Sequence, residues 1–202
     1  MLELKNLSFS YKTHPVIRDL SFQFPESGIA TLMGASGEGK TTLLRLICGL
    51  EKPQSGSIRA THQKLAYAFQ EPRLIPWMTC AENVAFVLPT QELSSVNVSQ
   101  LLRDMELEEF ENAYPSALSG GMKQRLSLCR ALAANADLLL LDEPFSGLDA
   151  ALKKRLAPRI KAANPHGLTL IVTHDERDAE LLGASILTLS SNADGTTLTS
   201  GI

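Results

Sequence analysis

One glycine-rich segment constrains this chain more than any other feature, because it fits the phosphate-binding pattern G-x-x-x-x-G-K-[ST] at every fixed position. The segment is Gly34-Ala35-Ser36-Gly37-Glu38-Gly39-Lys40-Thr41. The apolar run at 29–33 predicts a buried strand before it, and the apolar spacing over 42–48 predicts a helix after it. In such a loop the backbone N–H groups surround an anion, Lys40 adds a positive charge, and the Thr41 hydroxyl can ligate Mg²⁺. The sequence therefore predicts a nucleoside triphosphate site.

Length and charge narrow the class of protein. The chain has 202 residues, which suits one domain, or one domain with an inserted lobe. Its net charge is −3 with acidic and basic residues interleaved, which predicts neither a nucleic-acid surface nor a polybasic membrane patch. The aliphatic run at 138–141 is far shorter than the roughly 20 apolar residues of a membrane-spanning helix. The start lacks the pattern of a signal peptide, so we expect a cytoplasmic chain that reaches a membrane only through another protein.

Apolar runs predict the strands of an α/β fold. Residues 2–11 alternate with a slip near Asn6, which predicts one or two strands, and further strands are predicted at 16–24 and 65–69, with a turn at 53–56. The uninterrupted runs at 138–141 and 168–173 are typical of strands buried on both faces. Alternation from Ile186 and a turn at Asp194-Gly195 predict a terminal hairpin. Tyr11 ends the first strand, where its ring either stacks on a base or is an ordinary strand aromatic.

Between residues 71 and 135 the pattern changes from strands to short helices. Prolines separate segments with helical spacing, such as 81–88 and 98–107, and an apolar helix face runs over 123–134. We therefore predict a single domain over 1–202, with a helical lobe at 71–135 inserted into a nucleotide-binding core of 1–70 and 136–202. Ser119, Gly120 and Gly121 precede the last helix, where they offer either a second helix N-terminus for an anion or ordinary loop chemistry.

Polar residues follow the buried strands, at the edge where parallel sheets bind their ligands. Asp142 follows the run at 138–141, and in a chain with a phosphate loop this position predicts an Mg²⁺ ligand. Glu143, beside it, is placed to polarise water, and His174 ends the strand at 168–173. A tight turn is predicted at 146–149. The helix predicted over 150–163 contains Pro158, which should kink or split it.

These motifs together resemble the nucleotide-binding subunit of an ATP-binding cassette transporter over essentially the whole chain. The most specific of them is similar to the family signature, and reads Leu118-Ser119-Gly120-Gly121-Met122-Lys123-Gln124-Arg125. Met122 stands where the family more often has glutamine. The resemblance implies an α/β P-loop NTPase of the RecA-like type, with a parallel-sheet core, an N-terminal antiparallel β-subdomain and an inserted helical lobe. It also implies ATP and Mg²⁺ as cofactors.

The resemblance assigns a role to each matching residue. It implies that Tyr11 stacks on adenine, that residues 34–42, including Thr42, hold the phosphates, and that Thr41, Gln70 and Asp142 hold Mg²⁺. It implies that Glu143 is the catalytic base and that His174 contacts the terminal phosphate. In the family two cassettes face each other head to tail, so each ATP also meets the signature and the 146–149 turn of the second copy. The residues implied for that part of the site are Ser119, Gly120, Gly121 and Asp149.

The same resemblance implies an importer. The segment 69–77 is similar to that of importers of nitrate, sulfonates and taurine, and we expect no C-terminal regulatory domain of the kind that some sugar importers append. The implied partners are a second copy of the chain, an integral membrane permease and, indirectly, an extracytoplasmic solute-binding protein, with no nucleic acid. ATP hydrolysis would then drive import of a small solute by a cytoplasmic chain held on the inner face of the membrane. Trp77 either lines the groove for a permease helix or fills the helical lobe.

Three other classes of protein carry a phosphate loop. Cassette ATPases that act on DNA insert a long coiled coil before the signature, but no heptad run lies between Lys40 and Ser119. Translation-associated relatives carry two cassettes in one chain. A small-molecule kinase would leave the signature and His174 without a role. Co-purification of an integral membrane protein, rather than ribosomes or DNA, would favour the transporter.

Overall fold

Two sheets and the helices packed on them make up the fold in the computed structural model, which describes residues 1–89, 96–192 and 195–201. In chain order the strands are β1 (Leu2–Tyr11), β2 (His14–Gln23), β3 (Gly28–Met33), β4 (Ser55–Ala60), β5 (Leu65–Ala68), β6 (Leu138–Asp142), β7 (Leu168–Val172), β8 (Ser185–Ser191) and β9 (Thr196–Ser200). The α-helices are α1 (Lys40–Ile47), α2 (Cys80–Ala85), α3 (Val98–Asp104), α4 (Gly120–Ala133), α5 (Ala150–Ala163) and α6 (Glu176–Leu182). Short 3-10 turns at Glu108–Phe110 and Pro115–Ala117 lie between α3 and α4.

The larger sheet carries the strands that the sequence predicts as buried. Its order is β5-β6-β7-β3-β8-β9, and its neighbours run parallel except for β8 and β9, which pair antiparallel. The predicted parallel-sheet core and the terminal hairpin are thus confirmed. Of the predicted hairpin turn, Gly195 is described, and Asp194 lies outside the described residues.

The smaller sheet is antiparallel, in the order β2-β1-β4. Residues 2–11 form one strand, and the slip predicted near Asn6 is a register shift between Leu4 and Leu7, with Asn6 at a φ of 47°. A bulge of this kind lets one strand keep its apolar residues inward on both sides of the shift. The turn predicted at 53–56 is partly wrong, because Ser55 and Gly56 already belong to β4.

Strand β6 is buried on both faces, as predicted. Leu138 and Leu140 pack in the apolar cluster that contains the residues of α1 and the smaller sheet, whereas Leu139 and Leu141 pack in the cluster that contains α4 and α5. Every residue of the strand is buried. Because both faces are packed, the strand is firmly placed, and so is Asp142 at its carboxyl end.

The described part of the segment between β5 and β6 contains the helices α2, α3 and α4, as predicted, although α2 and α3 end earlier than expected and α4 begins earlier, at Gly120. A kink or a split of α5 is predicted at Pro158, and the split is wrong, since the helix runs unbroken through that residue. The proline ring is exposed, and buried side chains on both sides of it, Leu152 and Ile160 among them, hold the helix against the protein. Among the described residues, no helix has the length and apolar character to cross a membrane.

Candidate active site

The loop between β3 and α1 has the backbone geometry that an anion requires. Gly34, Gly37 and Gly39 have positive φ angles of 141°, 89° and 94°. A Cβ atom on Gly39 would lie 2.8 Å from Cγ1 of Val16, so no larger residue fits there without a shift. Helix α1 follows with no side-chain cap and no acidic residue in its first turn. Its first N–H groups and its dipole are therefore available to a phosphate.

Lys40 lies back across this loop. Its Nζ donates hydrogen bonds of 2.8 Å to the carbonyl oxygens of Gly34 and Ala35. Glu38 accepts a hydrogen bond of 3.1 Å from the backbone N–H of Ala35 through Oε2. The predicted phosphate-binding residues thus form one tight turn with an ammonium group at its centre.

A cleft of about 390 Å³ lies against the loop. Its walls bring together residues far apart in the sequence, which are Tyr11, Val16, Ser36, Gly37, Gly39, Lys40, Thr41, Thr42, Gln70, Asp142, Glu143 and Val172. Most of the residues predicted to bind phosphate and metal, together with the predicted base, therefore face one space. Val16 and Val172 add apolar walls to it.

Asp142 is the buried acid of the cleft, with 1% of its surface exposed. The Thr41 hydroxyl donates to its Oδ1 over 3.2 Å, and the Tyr67 phenol donates to its Oδ2 over 3.2 Å. Burial raises the pKa of Asp142, and these two hydrogen bonds act against that rise.

The oxygen donors of Thr41 and Asp142 suit a magnesium ion. No group of three or more His, Cys, Asp or Glu side chains that could hold a metal occurs among the described residues. A site with one hydroxyl and one carboxylate fits Mg²⁺, which keeps waters and phosphate oxygens as its other ligands. Gln70 lines the same cleft and adds an amide oxygen donor.

Glu143 and His174 meet at the carboxyl ends of β6 and β7. Nδ1 of His174 lies 3.0 Å from Oε1 and 3.1 Å from Oε2 of Glu143. This hydrogen bond and the negative charge of Glu143 raise the pKa of His174. The imidazole is 77% exposed while the carboxylate is 16% exposed, so His174 covers the acid from the solvent side.

The backbone of Glu143 is in the left-handed region, at a φ of 51°. Its N–H donates to the carbonyl of Val172 over 2.9 Å, and its carbonyl accepts a 3.2 Å hydrogen bond from Nε2 of Gln124. This conformation is strained for a residue other than glycine, and the two hydrogen bonds hold the backbone in it. The side chain is thereby aimed at the cleft.

Tyr11 lines the cleft from the end of β1. Its ring contacts Phe9 edge-on, with centroids 4.8 Å apart, and 38% of its surface is exposed. A hydrogen bond from Arg45 to the Tyr11 phenol raises the pKa of that arginine. The position leaves the ring available to a base, which keeps the predicted stacking role open.

The signature residues occupy a different place. Ser119 caps α4, and its Oγ accepts a 3.3 Å hydrogen bond from the N–H of Met122. Ser119, Gly120 and Gly121 are described, but none of them is among the residues that line the cleft. A Cβ on Gly121 would lie 3.8 Å from Leu148, so the start of α4 adjoins the 146–149 turn. Asp149 ends this turn and caps α5, accepting from the N–H of Leu152 over 2.9 Å.

Two residues that bear on the site were missed by sequence reasoning. Tyr67 reads as a strand residue and Gln124 as a polar residue of the signature helix, and neither pattern signals a contact with an acid many residues away. Tyr67 gave one usable signal, since it lies in β5 three residues before Gln70, which lines the cleft. Gln124 is 6% exposed, and burial of a glutamine indicates a hydrogen-bonding role.

Comparisons with known proteins agree with this geometry. The sequence profile of the family described as ABC transporter matches residues 17–146. An aliphatic sulfonates import ATP-binding protein of Pseudomonas syringae pv. tomato is 40% identical over 184 residues, which cover 90% of this chain and 79% of the relative. A sulfate/thiosulfate import ATP-binding protein of Escherichia coli K12 is 36% identical over 209 residues, which cover 94% of this chain and 57% of the relative.

A solved structure with the same fold is a dimeric post-hydrolysis state of an ATP-binding cassette bound to ADP and Pi. It superposes with a TM-score of 0.83 at 28% identity, over 93% of this chain and 94% of that chain. Sheet, phosphate loop and cleft define an ATP-binding ATPase of the P-loop class. The chain belongs to the ABC transporter family.

Proposed function

We propose that this chain is the ATP-hydrolysing subunit of an importer, and that it drives a small solute through a separate integral membrane permease. Family membership supports the ATPase activity, and the import function in the names of relatives 40% and 36% identical supports the direction. One observation carries the mechanism. The phosphate loop, Asp142 and Glu143 share a cleft that the signature residues of the same chain do not line.

The signature residues then act on the ATP of a second copy. Ser119, Gly120 and Gly121 form a helix N-terminus without an acidic residue in its first turn, which suits a phosphate. A head-to-tail pair of chains would bring this N-terminus to the partner's phosphate loop, with Asp149 in the turn beside it. ATP thus joins the two copies, and its hydrolysis releases them.

Within each cleft we assign the following roles. Tyr11 stacks on the base, residues 34–42 hold the phosphates, and Lys40 exchanges its carbonyl partners for phosphate oxygens. Thr41, Asp142 and Gln70 would hold Mg²⁺, which neutralises phosphate charge when bound. Glu143 takes a proton from the attacking water, which is worth roughly 10²–10⁴ in rate. His174 leaves Glu143 to contact the terminal phosphate, and this exchange frees the carboxylate for water.

The helical lobe at 71–135 is proposed to contact the permease. Trp77 is 75% exposed and Phe86 is 63% exposed, so neither side chain serves as interior packing of the lobe. Exposed aromatic residues of this size favour a protein partner. Through the permease the chain would lie on the cytoplasmic face of the membrane, with a solute-binding protein on the other side. The relatives are named for different solutes, so we assign the choice of solute to those partners.

Mixing two inactive variants tests the shared site. Lys40→Ala lacks the ammonium of the phosphate loop but keeps an intact signature. Gly120→Asp keeps the loop but carries a negative charge where the signature would meet phosphate. A Cβ on Gly120 meets nothing within 4 Å, and an acid in the first turn of α4 is compatible with the helix dipole, so this variant should fold. Gly120→Ala is the matched control and should remain active.

Each variant alone should hydrolyse ATP very slowly, whereas a mixture should regain activity. One of the two sites in a mixed dimer then combines an intact loop with an intact signature. A mixture as inactive as its components, with both variants folded, would contradict the shared site.

For the importer role, the tagged chain purified from membranes should bring down an integral membrane protein. Recovery of ribosomes or DNA in its place would overturn that assignment.

A further inference from the structure

A buried carboxylate outside the cleft has partners that the proposed mechanism does not use. Asp178 lies in α6 with 4% of its surface exposed. Its Oδ1 accepts a 2.7 Å hydrogen bond from Nζ of Lys153, and its Oδ2 accepts a 2.9 Å hydrogen bond from the hydroxyl of Thr173. Burying a carboxylate is costly unless it is paired and hydrogen-bonded. Here both oxygens are satisfied, by Lys153 of α5 and by Thr173 of the loop between β7 and α6.

The contact with Thr173 fixes the residue immediately before His174. The N–H of Thr173 donates to the carbonyl of Leu32 over 3.4 Å, which joins it to β3. Its hydroxyl accepts a 3.2 Å hydrogen bond from the N–H of Asp175, the residue immediately after His174. Asp175 in turn caps α6. The backbone on both sides of the imidazole is therefore held through a single hydroxyl, which Asp178 orients.

The contact with Lys153 reaches the turn that precedes α5. Lys153 lies in the first part of this helix, and its N–H donates to the carbonyl of Asp149 over 3.0 Å. Its Nζ also lies 3.5 Å from Oδ2 of Asp175. One ammonium group thus bridges α5 and the loop of His174. The 146–149 turn and the imidazole are joined through Lys153 and Asp178.

We propose that Lys153 and Asp178 are a positioning pair for His174. The pair couples the 146–149 turn, which would lie beside the second copy, to the imidazole that would contact the terminal phosphate. This inference rests on the proposed function, since it needs His174 to act in hydrolysis. Neither residue lines the cleft of the phosphate loop, so the pair acts through the loop of His174 and not on the nucleotide. The pair fixes the position of the loop that carries His174 when the 146–149 turn contacts the second copy. Small displacements of a positioned group reduce the chemical step far more than ground-state binding.

The test compares turnover with nucleotide binding in the full-length chain. Lys153→Met and Asp178→Asn should each lower kcat for ATP about tenfold, while KM and the calorimetric affinity for Mg-ADP stay within about twofold. Lys153→Arg, which keeps the charge, should stay near the wild type. Lys154→Met is the matched control, because Lys154 is the exposed neighbour with no ion pair among the described residues. It should leave kcat unchanged.

Combining Lys153→Met with Asp178→Asn separates positioning from stability. The single change at Lys153 leaves a buried charge unpaired and lowers the thermal midpoint, and removal of both charges should recover that midpoint. A positioning pair predicts that kcat nevertheless stays low in the double variant. A purely structural pair predicts that kcat recovers with the midpoint, and that result would overturn the proposal. So would wild-type kcat in Lys153→Met.

Failure of the positioning role can be told apart from failure of the proposed function. If Asp178→Asn does not fold, Lys153→Met decides the matter, since Lys153 is 18% exposed and its loss is tolerated more easily. The proposed function fails, and not the positioning role, if the wild-type chain binds ATP without hydrolysing it. It also fails if Glu143→Gln turns over as fast as the wild type.

Discussion

The phenol of Tyr67 donates a hydrogen bond to Oδ2 of Asp142, while the Thr41 hydroxyl holds the other oxygen. Both contacts stabilise the charged carboxylate against burial, and burial raises the pKa of Asp142. The charged form of Asp142, which is the form proposed to hold Mg²⁺, is therefore favoured by the hydrogen bond from Tyr67. This tyrosine is part of β5, three residues before Gln70 of the cleft.

Tyr67→Phe should weaken binding of the magnesium complex of ADP and leave binding of free ADP unchanged. A hydrogen bond to a charged group is worth about 1.5–3 kcal/mol, so an affinity loss of roughly 10- to 150-fold is expected. Calorimetric titration with MgCl₂ and with EDTA measures the two affinities. Tyr114→Phe, at a half-exposed position, is the control. An equal loss in EDTA would show that Tyr67 acts on the nucleotide and not on the metal site.

Glu143→Gln should bind ATP and fail to hydrolyse it. The amide keeps the size of the side chain but cannot take a proton, so turnover should fall by about 10²–10⁴. With its ATP uncleaved, the variant should elute as a dimer in size-exclusion chromatography when ATP is present and as a monomer when it is absent. Glu26→Gln, at an exposed position, is the control and should resemble the wild type. Brisk turnover by Glu143→Gln would remove the assignment of this residue as the base.

His174 should titrate above the ordinary histidine value of about 6.5, because its hydrogen bond to Glu143 favours the charged imidazole. A raised folded-state pKa means that the pair stabilises the fold at pH values below the unfolded pKa. That contribution is lost as pH rises through the folded pKa. Since the imidazole is largely exposed, solvent screening keeps the contribution small.

NMR titration of the imidazole signals measures this shift directly. Glu143→Gln should lower the pKa of His174 towards its ordinary value. His62 offers a contrast in the same spectrum, because burial lowers its pKa. The interpretation fails if His174 titrates at or below His62, or if Glu143→Gln leaves its pKa unchanged.

Pro158→Ala should stabilise the chain. Alanine restores a backbone N–H inside α5 and removes the ring that crowds the preceding turn, a gain of about 1–3 kcal/mol after the higher entropy of the unfolded chain is subtracted. Urea unfolding of both forms measures the difference in the free energy of unfolding. Pro25→Ala, between β2 and β3, removes a proline outside any helix and should be neutral or destabilising. Equal effects of the two changes would contradict this account of Pro158.

The strands that lie in the core were predictable because their pattern is local. An uninterrupted run such as 138–141 has only one stable environment, which is a strand covered on both faces, and β6 is that strand. Strand β4 escaped prediction because it contains little apolar surface. It exists through pairing with β1, where Leu4 lies opposite Ile58, and such a partner cannot be inferred from the residues 53–60 alone.

The parts of the site that depend on neighbouring residues in the sequence were predictable too. Each motif of the phosphate loop and of the strand ends follows from residues adjacent in sequence, so Lys40, Asp142 and Glu143 could be placed at one edge. Contacts between residues far apart in the sequence could not be predicted in this way. Tyr67 reaches Asp142, and Lys153 reaches Asp178, through the arrangement of separate elements. The continuity of α5 at Pro158 could not be predicted either, because packing against the rest of the protein outweighs the local effect of the proline.

The position of β3 in the sheet has a consequence for how the chain is made. Gly28 pairs with Leu168 in β7, and Ala30 pairs with Ser185 in β8, so the strand before the phosphate loop finds both neighbours only near the far end of the sequence. During synthesis this apolar strand leaves the ribosome well before either partner exists. Contacts so distant in sequence slow folding and lengthen the time for which an unpaired edge is exposed. Nascent chains that stall before β7 should therefore depend strongly on chaperones to stay in solution.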